Sequence, residues 1–349
     1  MKMKSKIICA ALCSVLILPL AACGAPKDEA VTLNVYNWGD YINPDVLTKF
    51  TEETGIKVNY ETFATNEDMY VKIKNGGGDY DIAFPSDYMI EKMVNEDLLD
   101  TIDTGSLENY KYIGDFFKDL SYDPDNKYSV PYMWGTLGIV YNSEMVDEDV
   151  TSWKILWDEK YAGKIFMYNS LRDSIGVALK MLGYSLNTRD IAELNDAKEA
   201  LIAQRPLVLS YMGDSIKDSM IAGEAALSVM YSGDAMFVME YNDALEYVVP
   251  EEGSNYWFDG VVIPKTCKNK EEAMAFIDFL CRPEMALMNT EYIGFATPNT
   301  GALELLDEDM RSDPAYSPSQ ETLEKCELFY DLGDFVTEYD KAWTEILAN

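Results

Sequence analysis

The sequence predicts an α/β protein built as two lobes, and three observations carry that prediction. Strand-like apolar runs alternate with amphipathic helical stretches along most of the 349 residues. The first of them follow one another in the order βαβαβ, which calls for a parallel sheet with helical crossovers. The roughly 320 residues after the apolar N-terminal segment are more than one small core takes up.

Taken in order, residues 31–38 (VTLNVYNW) read as a strand. Residues 43–55 (NPDVLTKFTEETG) read as a helix. Asn43 is placed to cap it, Pro44 takes the first helical position, Val46, Leu47 and Phe50 recur at helical spacing, and Gly55 ends it. Residues 56–63 alternate as a second strand, 66–78 form a second helix running into glycines, and 79–86 form a third strand. In open α/β sheets, ligands gather outside the carboxyl ends of the strands. Two unusual clusters fall at such ends, NWGDY at 37–41 and PSDY at 85–88. Topology therefore joins two local oddities into one expected surface. Residues 128–146 are extended and rich in Gly, Val and Tyr, and could carry the chain between lobes. Residues 150–170 read as a helix and a strand of a second α/β unit. Residues 223–239 read as a helix end, a strand and a turn into a helix. Residues 256–286 read as a strand leading to a helix bounded by Asn269 and Pro283.

The net charge is -33 and there is no histidine. So acidic a chain speaks against nucleic acid, because neutralising phosphates needs a basic footprint. It favours cationic partners by long-range attraction, although solubility alone would also account for it. The N-terminus carries Lys2, Lys4 and Lys6, then an apolar run at 7–18 that is short for a membrane span. Leu20-Ala21-Ala22-Cys23 follows, and it resembles the lipobox of bacterial lipoproteins. That resemblance implies a signal peptide at 1–22, lipid on the sulfur of Cys23, and a tether over 23–30. The body is then expected outside the cytoplasm, lipid-anchored to the outer face of the cell membrane or on the periplasmic side. Losing the leader removes three lysines and no acid, which moves the net charge from -33 to -36. Cys267, Cys281 and Cys326 remain in the body, an odd number with no CxxC spacing. They read as buried thiols, with one disulfide pair left open. Without histidine, no metal and no cofactor is expected.

Several strings occur in an order that resembles one family. They are NWGDYI, FTEETGIKVNYETFATNEDMYVKIK, YDIAFPSDYMIEKM, YSVPYMWGTLGIVYN, VTSWKILWDEKYAGKI, WFDGVVIPKTCKNKEEAMAFIDFLCRPE and EYIGFATPN. Together they resemble the solute-binding proteins of polyamine ABC transporters, the spermidine/putrescine-binding family, from about Leu33 to the C-terminus. The resemblance implies a periplasmic-binding-protein fold (type II), two α/β lobes joined by a hinge with the ligand cleft between them. One lobe would comprise 31–137 plus 259–304 and the other 142–255 plus 308–349, with crossings at 138–141, 256–258 and 305–307. It implies a protein that is not an enzyme, captures putrescine and/or spermidine, and hands it to an ABC permease; nothing in the sequence demands an oligomer, and a monomer is expected.

A polyamine is a flexible hydrocarbon carrying two or more ammonium groups. Its site needs spaced carboxylates, hydroxyl or carbonyl acceptors, and aromatic faces worth roughly 0.5–2 kcal/mol per cation contact. The family's motifs fall on this chain as follows. Trp38 and Tyr41 would be walls and Asp40 an ammonium partner. Ser86 and Tyr88 would supply an acceptor and a ring. Asp173 matches the second of two family acids, while the first is replaced by Ser170; pairing with Arg172 or helix capping are the other readings of Asp173. Tyr231 and Asp234 match the aromatic-x-Gly-Asp pattern of putrescine-type members, and helix capping is the other reading of Asp234. Trp257 and Asp259 match a Trp-x-Asp box, Asp259 as the central ammonium partner. Phe295 keeps the ring of a family tyrosine without its hydroxyl, and Phe329 stands where some members carry a ligand-binding glutamine. Other functions compatible with acids among aromatics are a same-fold binder of thiamine or a quaternary amine, a carboxylate-based hydrolase, and a structural lipoprotein.

Overall fold

The computed structural model describes residues 31–349; the leader, Cys23 and the tether lie outside the described residues. Strand β1 (Thr32–Trp38) leads to helix α1 (Pro44–Thr54), where the Asn43 side chain accepts from the Asp45 N–H and Gly55, at φ 75°, closes the C-terminus. There follow β2 (Lys57–Phe63), α2 (Asn66–Lys74), the short β3 (Ile82–Ala83), α3 (Asp87–Asn95) and β4 (Leu99–Asp100). β2, β1 and β3 pair in parallel, as the βαβαβ reading requires. The long strand β5 (Ser129–Asn142) comes next and is buried along nearly its whole length.

The chain then builds β6 (Ile165–Tyr168), α4 (Leu171–Leu182), α5 (Ile191–Gln204), β7 (Val208–Met212), α6 (Ile216–Ile221), β8 (Leu227–Tyr231), α7 (Ser232–Tyr241) and β9 (Leu245–Val248). It returns through β10 (Tyr256–Pro264) to α8 (Lys270–Leu280) and α9 (Pro283–Ile293), the helix boundaries that Asn269 and Pro283 announce. The strand order is β2-β1-β3-β10-β5-β8-β6-β7. β5 makes this one path. Its first part, Ser129 to Thr136, pairs with β10, and its last part, Leu137 to Tyr141, pairs with β8. β5 is thus the strand that the extended reading of 128–146 anticipates, running from one half of the sheet into the other.

Apolar burial divides along the same line. One core gathers Val35, Phe50, Ile82, Met133, Phe258 and Phe276. A second gathers Ile139, Trp153, Ile165, Leu179 and Tyr339, and a third, Val140, Ile216, Met220 and Val238. The second half of the sheet is therefore covered on both faces, as a sheet with parallel strands requires. Leu306, Tyr316 and Leu328 pack with the first core, and Leu332 with the second. Lys325 and Glu327 already bond to Lys180 of α4, and we accordingly propose the third crossing within residues 325–331 rather than at 305–307.

One local expectation fails. The helix expected after residue 150 is two 3-10 turns, Trp153–Trp157 and Glu159–Tyr161. The side chains of Ser152 and Asp158 accept from the N–H groups of Lys154 and Lys160, two residues on, closing local turns that compete with a helix. The indole N–H groups of Trp153 and Trp157 donate to the carbonyls of Gly253 and Ala200, which pins the segment in place.

Candidate functional site

The site candidates of the first sheet half sit where the strands end. At the end of β1 the chain makes a tight turn with Asp40 in the left-handed region, φ 49°. The turn is fixed from three sides. The Asn37 carboxamide oxygen accepts from the Trp38 N–H at 2.8 Å, Tyr60 donates to the Trp38 carbonyl at 3.1 Å, and Tyr132 donates to the Tyr41 carbonyl at 2.8 Å. Trp38 donates its indole N–H to the Phe84 carbonyl at 2.8 Å and packs on Phe63 at 4.5 Å, so it is part of the sheet end and only half-buried. Asp40 is exposed and has no hydrogen-bond or ion-pair partner among the described residues. Tyr41 is turned inward, 5 % exposed.

Tyr41 meets Asp259. Its hydroxyl donates to Asp259 Oδ2 at 2.5 Å, while Asp259 Oδ1 is buried without a partner among the described residues. Strand geometry puts Asp259 and Trp257 on one face of β10 and Phe258 on the other, in the core. Between Asp259, opposite Met133, and Gly260, opposite Pro131, the register shifts by one residue, leaving Tyr132 as the extra one. Such a bulge re-aims side chains, and here its own hydroxyl holds the Tyr41 loop. Trp257 is edge-to-face with Phe295 at 5.0 Å and with Tyr231 at 5.9 Å, and Phe295 lies 5.9 Å from Tyr41. The Trp257 indole N–H also lacks a partner among the described residues.

Burial pushes the Asp259 carboxyl up from 3.8 to about 6, against the nearby Ser86 hydroxyl, which forms no hydrogen bond to it, and the Tyr41 hydroxyl, which does. Ser86 forms an isolated bridge with Asp259, and Asn66 donates to both the Ser86 hydroxyl at 3.0 Å and the Tyr88 hydroxyl at 3.1 Å. Tyr88 in turn donates to Glu67 at 3.0 Å. Asp87, between them, is a candidate the motif reading passed over. It is 1 % exposed and accepts from the N–H groups of Tyr88 at 2.6 Å and Phe258 at 3.2 Å. Burial outweighs those bonds and raises it to about 8, with Asp259 adding repulsion. A carboxylate flanked by two site candidates in PSDY was the available signal.

The other sheet half contributes Asp173, Tyr231 and Asp234. Asp173 lies in the first turn of α4, 5 % exposed, and its Oδ2 accepts from Ser170 at 2.5 Å and Tyr231 at 2.8 Å. Ser170, not Asp173, is the N-cap of α4. Arg172 does not ion-pair with Asp173. Its guanidinium lies 4.3 Å from the Phe329 ring and donates to Asn187 and the Tyr330 carbonyl. Burial raises the Asp173 pKa, opposed by Ser170, Tyr231 and Arg172. Asp234, in the first turn of α7, pairs with Lys217 at 3.2 Å. Gly233 beside it is pressed on Phe295 so closely that a Cβ there would stand 2.0 Å from the ring. Phe295 belongs to the first core's surroundings and Gly233 to α7, so the two halves meet at this point.

The structure thus gathers Tyr41, Ser86, Trp257, Asp259 and Phe295 around one buried carboxyl, with Tyr231 and Asp173 joined to that group through Trp257. Asp234 lies close enough to raise the pKa of Tyr41. Asp40 faces solvent and Trp38 is half-buried at the sheet end with its indole N–H engaged by Phe84, while the Tyr88 ring lies 5.9 Å from the Arg172 guanidinium of the other half, its hydroxyl held by Asn66 and Glu67. Cys267, Cys281 and Cys326 are free thiols. Among the described residues no cluster suited to a metal ion occurs, and no helix is long and apolar enough to cross a membrane.

A model of bacterial extracellular solute-binding proteins matches residues 45–318. The chain is 37% identical over 333 residues to the spermidine/putrescine-binding periplasmic protein of Salmonella typhimurium, covering 95% of this chain and 96% of that one. Among solved structures it is similar to the spermidine/putrescine ABC transporter substrate-binding protein of Streptococcus pneumoniae. There the identity is 47%, the TM-score 0.83, and the coverage 91% of this chain and 99% of the other. It is also similar to the TpPotD lipoprotein of Treponema pallidum, at 26% identity and a TM-score of 0.82, covering 90% and 99%. The likeness runs over nearly the whole described chain and bears out the two-lobed α/β architecture.

Proposed function

The chain belongs to the bacterial extracellular solute-binding proteins, in their spermidine/putrescine-binding group, and from that premise we propose that it captures a polyamine between its lobes and delivers it to an ABC permease. The observation that carries the reading is Asp259. It is a buried carboxyl with one oxygen unpartnered among the described residues, set among Trp257, Tyr41 and Phe295. An ammonium group donates three hydrogen bonds and accepts none. It would satisfy Asp259 Oδ1, and the rings would cover the adjoining methylenes and attract the charge. Asp173, with the Tyr231 hydroxyl, is the partner we assign to the second ammonium. A buried carboxyl without a cation is costly, and this is the physical reason such a site favours a cation over a sugar.

The reading assigns no covalent step. The ligand bridges the lobes and favours the closed form by its greater affinity for it. We further assign the protein to the outer side of the cell membrane, held by lipid on Cys23, a reading supported by the lipobox-like LAAC and by the lipoprotein relative. The test is the melting temperature of purified, ligand-stripped protein with putrescine, spermidine, thiamine, choline or an oligosaccharide, since a ligand of the native state stabilises it by mass action. Putrescine or spermidine should raise it clearly and the oligosaccharide should not. A response to thiamine or choline alone would move the assignment to another organic cation.

A further inference from the structure

Of the acids that the motifs place at the ligand, Asp40, Asp173, Asp234 and Asp259, Asp234 alone carries an ion pair among the described residues. Lys217 Nζ lies 3.2 Å from its Oδ1, with the lysine side chain 31 % and the aspartate side chain 13 % exposed. The ammonium also lies 6.0 Å from the Phe237 ring. Burial alone would lower the Lys217 pKa, but Asp234, Asp214 and Asp40 together raise it. Lys217 is therefore a charged ammonium at neutral pH, held from α6 in one lobe and within the field of Asp40 at the end of β1 in the other.

Lys217 is not what docks its helix. Ile216 and Met220 do that, both fully buried in the core beneath. The lysine instead spends its charge on a carboxylate at the edge of the ligand group. We propose that Lys217 is a built-in ammonium that occupies Asp234 in place of a ligand amine, so that the site accepts a diamine and discriminates against a triamine. This rests on the polyamine reading above. Two ammonium groups find partners at Asp259 and Asp173. We assign the third to Asp234, where it either displaces Lys217 or sits beside a like charge, and both outcomes cost affinity.

The test is calorimetric titration of purified, ligand-stripped protein with putrescine and with spermidine. The readout is the ratio of the two dissociation constants, with the melting temperature of each variant measured alongside. Lys217→Met should move the ratio about tenfold or more toward spermidine, because a like-charge juxtaposition is relieved. Lys217→Arg, which keeps the charge, should hold the original ratio. Lys217→Met combined with Asp234→Asn should lose the gain, because the freed carboxylate is gone. If Lys217→Met proves unable to fold, Lys217→Gln answers the same question. A ratio unchanged in the Met or Gln variant, or a gain that survives Asp234→Asn, would overturn the proposal while leaving polyamine binding intact. Original protein that binds neither amine would overturn both.

Discussion

Asp259 and Asp87 are carboxyls whose pKa values burial has raised, and their titration gives the site a pH dependence. Asp259 stands near 6 without a cation beside it. An ammonium binds the ionised form, so putrescine affinity should be level above about pH 7 and fall by up to tenfold per pH unit below about 6. Calorimetry across that range checks this, and a flat profile would remove Asp259 from the contact. Stability should run the other way. A carboxyl with a raised folded-state pKa binds its proton more tightly folded than unfolded, so its contribution to stability falls as pH rises between the two values. For Asp259 that window runs from 3.8 to about 6 and for Asp87 from 3.8 to about 8. Ligand-free protein should thus lose stability between about pH 4 and 8 through these two groups. Asp87→Asn should flatten the upper part of that loss in melting curves. The sequence made Asp259 legible through a Trp-x-Asp spacing. It marked Asp87 only by its place between Ser86 and Tyr88, because nothing in PSDY says which of its side chains turns inward where α3 starts.

At the scale of elements, the site is placed by β5, β10 and α7. β5 belongs to both sheet halves, and the register shift beside Asp259 lets the Tyr132 hydroxyl hold the Tyr41 loop. The N-terminal turn of α7 closes on Phe295, where Gly233 leaves no room for a side chain. Gly233→Ala should force these halves apart at that point, with an overpacking cost of about 1–3 kcal/mol. We expect weaker polyamine binding with less change in the melting temperature of ligand-free protein, because an open arrangement relieves the clash. Equal binding in the alanine variant would show that this contact plays no part in closure. Strand and helix order in the first lobe was readable from period and caps, since Asn43, Pro44 and Gly55 act locally. The bulge at Tyr132 and the 3-10 turns at Trp153 were not, because partners distant in sequence, such as Gly253 and Ala200, decide them.

At the scale of the molecule, separate cores joined through a shared strand allow the lobes to move while β5 and β10 keep their geometry. The motif order makes the two-lobed architecture legible in the sequence, and relatives spanning nearly the whole described chain bear it out. The pairing of Asp234 with Lys217 was illegible, since α6 and α7 are separated by β8 and nothing in either string names the other. The central claim is that a buried carboxyl in an aromatic setting takes one end of a polyamine. It is tested most directly by calorimetric titration of ligand-stripped protein with putrescine, original and Asp259→Asn side by side at neutral pH. The account predicts that the substitution weakens binding by about 2–5 kcal/mol, the scale for truncating one partner of a buried charge pair, with the fold retained. Equal affinity in the two proteins would contradict it.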